Sequence, residues 1–205
     1  MTRRTVRGSV LLTAALMSAT VSATAQKLNM KGGTADVAVT YTLERSKIAN
    51  TACGCFWLNG ASLDGAYTFH KGLGIAMNLT GEHASNIANT GVNLGKITYL
   101  VGPRYTGKLD FGGVKRHYGR VFGEFLIGGT HGFDSVFPGA GTATATANSF
   151  AMQLGGGVDL NTKHGFAVRA LEMDYVHTSL PNNGSNSQND FRIAFGMAYH
   201  WKGSH

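Results

Sequence analysis

The chain has 205 residues, 29 of them glycine and only three proline, with 18 Lys/Arg against 11 Asp/Glu and a formal charge of +7. That length allows one domain with a substantial interior, and the scarcity of proline excludes a Pro/Gly-rich disordered chain. Two cysteines are too few for a disulfide framework.

Three of the basic residues, Arg3, Arg4 and Arg7, precede a weakly apolar stretch from Gly8 to Val21 and the small-residue pattern Ala23-Thr24-Ala25. Residues 1–25 therefore read as a secretory signal peptide, with 26–33 as a lead-in. Removing the signal lowers the charge to +4, and no basic stripe, zinc-finger spacing or RNA-binding motif points to nucleic acid. No later segment approaches the roughly 20 apolar residues of a transmembrane helix.

Eight segments follow that alternate with period two, the mark of strands between two environments. The first, Thr34 to Leu43, sets Ala35, Val37, Val39 and Tyr41 against Asp36, Thr40 and Thr42. The second, Phe56 to Phe69, sets Leu63, Tyr67 and Phe69 against Gly60, Ser62 and Asp64. A turn at 70–72 leads into the third, where Leu73, Ile75, Met77 and Leu79 oppose Asn78, Thr80 and Glu82. The fourth, Leu94 to Thr106, opposes Ile97, Tyr99 and Val101 to Lys96, Thr98 and Arg104; Pro103 within it implies a strand end or bulge.

The fifth, Tyr118 to His131, sets Val121, Phe125 and Ile127 against Arg120 and Glu124. The sixth, Ser149 to Leu160, sets Phe150, Leu154 and Val158 against Gln153 and Asp159. In the seventh, Phe166 to Thr178, Leu171 and Met173 oppose Glu172 and Asp174, but Arg169 shares the apolar face. Either a bulge follows Arg169 or its side chain snorkels to a membrane boundary. The eighth, Phe191 to Trp201, alternates Phe191, Ile193, Phe195, Met197, Tyr199 and Trp201 with Arg192, Ala194, Gly196, Ala198 and His200; residues 202–205 form a tail.

Connections after segments two, four and six read as short and the others as longer, the up-and-down pattern of a membrane barrel. The polar faces carry Asp36, Asp64, Glu82, Arg104, Arg120, Glu124, Asp159, Glu172, Asp174 and Arg192. Ten charges in the apolar core of a soluble protein would each cost several kcal/mol unless paired. In the lumen of a narrow membrane barrel they form a network, with the apolar rows and their terminal aromatics turned to lipid. The expected fold class is all-β, an eight-stranded antiparallel up-and-down transmembrane β-barrel over 34–201. A secreted lipocalin-like or avidin-like barrel is the alternative, and its inner face should be apolar rather than charged.

The last strand, with Gly196, Tyr199 and Trp201 at spacings of three and five, resembles the C-terminal signal of outer-membrane barrels. Val101-Gly102-Pro103-Arg104-Tyr105, Phe122 to Gly129, Leu154 to Asp159 and Val168 to Tyr175 are similar to small OmpA/OmpX-like porin-family barrels. The polar residue usual two before that glycine is Ala194 here. The resemblance implies residence in the outer membrane of a Gram-negative-type bacterium, contact with lipid and lipopolysaccharide, and recognition of Gly196, Tyr199 and Trp201 by the barrel-assembly machinery.

Candidate chemistry is sparse. Cys53-Gly54-Cys55 lies in an external loop and reads either as a strained disulfide, since so small a ring is hard to close, or as two surface thiols. His83, His131 and His177 approach one rim beside Glu82, but they come from alternate strands, so no metal or cofactor is expected. Glu82 and His83 are the one acid–base neighbour pair on that rim. Consecutive strand residues point to opposite faces, so no enzyme is expected either. An eight-stranded barrel is about wide enough for side chains alone. The expectation is a monomeric protein with a plugged lumen, a structural or surface-interaction role through loops 44–55, 84–93, 132–148 and 179–189, and a small passive pore as the alternative.

Overall fold

The structure, a computed structural model, describes residues 33–47, 54–109, 118–138, 142–182, 184 and 186–202. Eight strands form it: β1 (Thr34–Lys47), β2 (Cys55–His70), β3 (Leu73–Ala84), β4 (Leu94–Leu109), β5 (Gly119–Phe133), β6 (Ala147–Asn161), β7 (Phe166–Thr178) and β8 (Gln188–Lys202). Each pairs antiparallel with the next, and β8 returns to β1, closing the barrel without a free edge. Among the described residues no helix is long and apolar enough to cross a membrane. The proposed signal peptide and most of the lead-in lie outside the described residues.

The period-two patterns become two cylinders of side chains. Outside, Met77, Met197, Leu154 and Val39 are about three-fifths exposed. Inside, the polar faces are buried together with small apolar residues such as Ala38, Ala76, Ala151 and Ala198. Glycines let the strands approach closely on that inner face. A Cβ on inward-facing Gly102 would lie 2.1 Å from the Phe125 carbonyl oxygen and 3.0 Å from the Leu126 Cα, backbone atoms that cannot swing away. Gly102→Val is therefore expected to destabilise the barrel by about 1–3 kcal/mol. Gly81→Val, at an outward site with nothing within 4 Å, should leave the folded fraction on an unboiled gel unchanged.

Several boundaries differ from the sequence reading. β1 continues four residues beyond Leu43, and β8 begins at Gln188, so the 44–55 and 179–189 loops are shorter than expected. The β2–β3 and β6–β7 connections have two and four residues, but β4–β5 has nine, as many as β3–β4 and β7–β8. Connection length alone thus does not separate the two ends; strand direction does. Pro103 makes no bulge. It faces outward where the β4–β5 ladder lapses between Val101 and Arg104 in unchanged register, which accommodates its missing N–H.

Candidate functional site

The lumen is the chemically distinctive part of the molecule, and β7 shows how the strands build it. The register between β7 and β8 shifts between Arg169 and Glu172. Ala170 and Leu171 both face outward across this bulge, so Arg169 and Glu172 both face in. The snorkelling alternative fails: Arg169 is 1% exposed and central.

Arg169 donates from Nε to Asp159 at 2.8 Å and from Nη1 to Glu172 at 2.9 Å, and its Nη1 stands 3.5 Å from Asp64. Arg104 donates from Nε to Glu124 at 2.5 Å and stands 3.6 Å from Asp64. The two guanidinium groups lie 4.3 and 4.5 Å from the centroid of the Phe122 ring, so one inward aromatic makes cation–π contacts with both. Gly157 makes room for it, since a Cβ there would come within 2.8 Å of that ring.

The network continues both ways. Towards the end that holds Thr34 and Lys202, Arg120 donates to Asp36 at 2.7 Å. His200 Nδ1 is 2.6 Å from the same carboxylate, and its Nε2 is 3.8 Å from Asp159. Towards the opposite, loop end, Gln153 donates to Glu124 at 2.9 Å and accepts from Arg192 at 2.5 Å. Arg192 in turn donates to Asp174 at 3.0 and 3.1 Å and to Thr80 at 3.2 Å. Nearest the loops, Lys96 pairs with Glu44 and stands 3.5 Å from Glu82. One path of polar contacts therefore runs from His200 through Arg169, Asp64, Arg104 and Glu124 to Arg192.

All ten residues of the sequence-derived charge network face the interior; nine are buried and Arg120 is half-buried. The structure adds Glu44, Lys96, Arg169, Asp190 and the deeply placed His200. Glu44 lies past the end expected for the first strand at Leu43, and Asp190 before the start expected for the eighth at Phe191, although the alternation Thr40, Thr42, Glu44, Ser46 already extends the inward row. Lys96 was legible on the polar face. Arg169 needed the bulge.

Among the described residues the interior holds nine acids (Asp36, Glu44, Asp64, Glu82, Glu124, Asp159, Glu172, Asp174, Asp190) against five permanent cations, Lys96, Arg104, Arg120, Arg169 and Arg192. The carboxylates of Asp64, Glu124 and Glu172 approach within 4.8 Å of one another, a spacing a metal ion could use. Arg104 and Arg169 already bridge them.

The remaining candidates are dispersed. His83 lies 3.5 Å from Asp134, His131 bonds Asn148 and His177 bonds Asn189, so the three rim histidines serve separate partners. Cys55 opens β2 and is exposed. Cys53, and with it the disulfide reading, lies outside the described residues. Gly196 faces inward against Thr40, while the Tyr199 ring stacks edge-on with Phe166 and Trp201 at the terminal end.

A closed eight-stranded up-and-down barrel, apolar outside and charged within, is the architecture of the small outer-membrane barrels. The crystal structure of Ail, the attachment invasion locus protein of Yersinia pestis, aligns over 83% of this chain and 99% of its own, with a TM-score of 0.53 and 15% identity. The same protein in complex with the heparin analogue sucrose octasulfate aligns with a TM-score of 0.52. OprG from Pseudomonas aeruginosa aligns over 83% of this chain and 96% of its own at 0.47 and 11% identity. This is a likeness of fold. No protein-family model and no curated protein matches the chain.

Proposed function

We propose that the chain is an integral outer-membrane barrel of a Gram-negative-type bacterium, exported by its N-terminal signal, whose lumen is plugged by side chains and whose loops act at the cell surface. The observation that carries this reading is the inversion of the two faces. Arginine and glutamate are buried inside while Val39, Met77, Leu154 and Met197 form an exposed belt, which only a hydrocarbon surround makes favourable. Contact with lipopolysaccharide follows from that placement. Gly196, Tyr199 and Trp201 serve as the assembly signal, and a single closed barrel needs no second subunit.

The surface role is supported by the shape of the molecule. Four connections rise from one end, and a protein of the same fold is named for attachment and invasion. An ion-paired network that spans the lumen leaves no room for a wide aqueous path, which supports closure over transport.

Heat-modifiable gel migration and flotation with lipid vesicles test membrane insertion; a chain that stays soluble and unshifted on boiling would overturn it. Closure is tested in planar bilayers, where the folded protein is expected to give no stable open current. Sustained step conductance would replace the plugged barrel with a small passive pore.

A further inference from the structure

Charge is divided unevenly between the two ends of the barrel. Among the described residues nine of ten acids are buried in the lumen, and the exposed one, Asp134, stands at the loop end 3.5 Å from His83. The four loop-end connections, 48–54, 85–93, 134–146 and 179–187, hold no other charged residue. The three connections at the terminal end, 71–72, 110–118 and 162–165, hold Lys71, Lys115, Arg116 and Lys163 against Asp110. Exposed Lys108, at the end of β4, adds to them. Lys71 has a φ of 46°, a left-handed turn position that asparagine or glycine fills with less strain, so the turn itself does not call for a lysine.

Lys71, Lys108 and Lys163 are all exposed, and no exposed acid among the described residues at that end competes for them. They come from three separate points on the circumference, the β2–β3 turn, β4 and the β6–β7 turn. By contrast Arg45 and Lys47, exposed cations of the loop end, both belong to β1. Each terminal lysine stands two or three residues beyond an exposed aromatic, Phe69, Tyr105 or Phe166. At a strand's rise that offset is at most roughly 7–10 Å, of the order of the polar headgroup layer that borders the hydrocarbon. A globular partner would meet one side of a cylinder. Cations spread around it, just beyond an aromatic row, match a leaflet that surrounds it.

We propose that the terminal rim binds anionic phospholipid headgroups, with Lys71, Lys108 and Lys163 donating to phosphate oxygens above the aromatic row. This rests on the membrane reading above and deepens it, because it assigns a negatively charged headgroup to the leaflet at the terminal end.

The chain carries its own reporters. Trp201 lies at the terminal rim, its ring 4.4 Å from that of Tyr199, which in turn lies 4.9 Å from that of Phe166. The His200 N–H donates to the Gly165 carbonyl at 2.9 Å, which holds the Lys163 turn against β8. Trp57 lies near the loop end, in register with Arg45. The full folded chain is reconstituted in vesicles containing brominated phosphatidylglycerol or brominated phosphatidylcholine with identical chains, and tryptophan quenching is measured. Trp57→Phe leaves Trp201 as the reporter, and Trp201→Phe leaves Trp57.

Phosphatidylglycerol is expected to quench Trp201 with an apparent affinity about fivefold higher than phosphatidylcholine, the worth of one lysine at an anionic surface. The preference should fade in high salt and disappear when Lys71, Lys108 and Lys163 are all changed to glutamine, with Trp57 quenching unaltered. Lys163→Gln alone, nearest Trp201, should at least halve it and keeps the test decisive if the triple variant does not fold. Equal quenching of Trp201 by the two lipids overturns the proposal and leaves the lysines to a soluble polyanion. A preference that survives the substitutions, or one lost equally at Trp57, overturns it too. A chain that neither floats with the vesicles nor is quenched by either lipid defeats the membrane reading itself and the proposal with it, a result distinct from equal quenching.

Discussion

Replacing Arg169 by methionine is expected to destabilise the folded barrel by about 3–5 kcal/mol, the scale for removing one partner from a buried ion pair. The substitution keeps most of the apolar stem but strips the charge that Asp159, Glu172 and Asp64 share. It also removes one of the two cations over the Phe122 ring. Of those three carboxylates only Asp64 would then keep a guanidinium partner among the described residues, Arg104, which it shares with Glu124. Urea unfolding in detergent micelles, followed by the fluorescence of Trp57 and Trp201, measures the loss. Arg169→Lys should fall between the two, since an ammonium restores charge without the planar fork that reaches Asp159 with two donors. A loss under about 1 kcal/mol for Arg169→Met would mean that the carboxylates are satisfied without the arginine, and the network would not be what holds β6 and β7 together.

The second large effect belongs to the opposite face. Met77 is 63% exposed in the middle of β3, flanked on the outer row by Ile75 and Leu79. In water an arginine there would be unremarkable. In a bilayer Met77→Arg is expected to cost about 2–4 kcal/mol, because the guanidinium must be carried into hydrocarbon or snorkel out of it. Reversible guanidinium unfolding from lipid vesicles gives this number, with Met77→Leu as a volume-conserving control expected near zero. If Met77→Arg proved neutral in vesicles, the outward belt would not be facing lipid, and the membrane assignment would fail independently of anything in the lumen.

These two expectations rest on parts of the molecule that were unequally legible. The outer row of β3 could be read from Leu73, Ile75, Met77 and Leu79 alone, since a two-residue period is a local property and a strand obeys it without knowing its neighbours. The same held for Asp64, Glu124 and Asp174, which fall on the inward face by counting. Arg169 could not be placed by counting. One extra residue in β7 inverts the phase, and whether the chain takes that bulge depends on Asp159 and Asp64, carboxylates on two other strands. Glu44 and Asp190 show a different difficulty. They lie where strands run into loops, and only pairing with the adjacent strands fixes how far the ladder continues.

The sequence by itself determined the number of strands, their two chemically opposite faces and the improbability of a water-facing apolar row, because each follows from alternation and from the cost of burying unpaired charge. Closure of the sheet through β1 and β8 and the choice of partner for each buried charge emerge only in three dimensions. Those features depend on how eight strands are staggered around a cylinder, and stagger brings together residues as distant as Asp36 and His200, whose proximity no local pattern encodes.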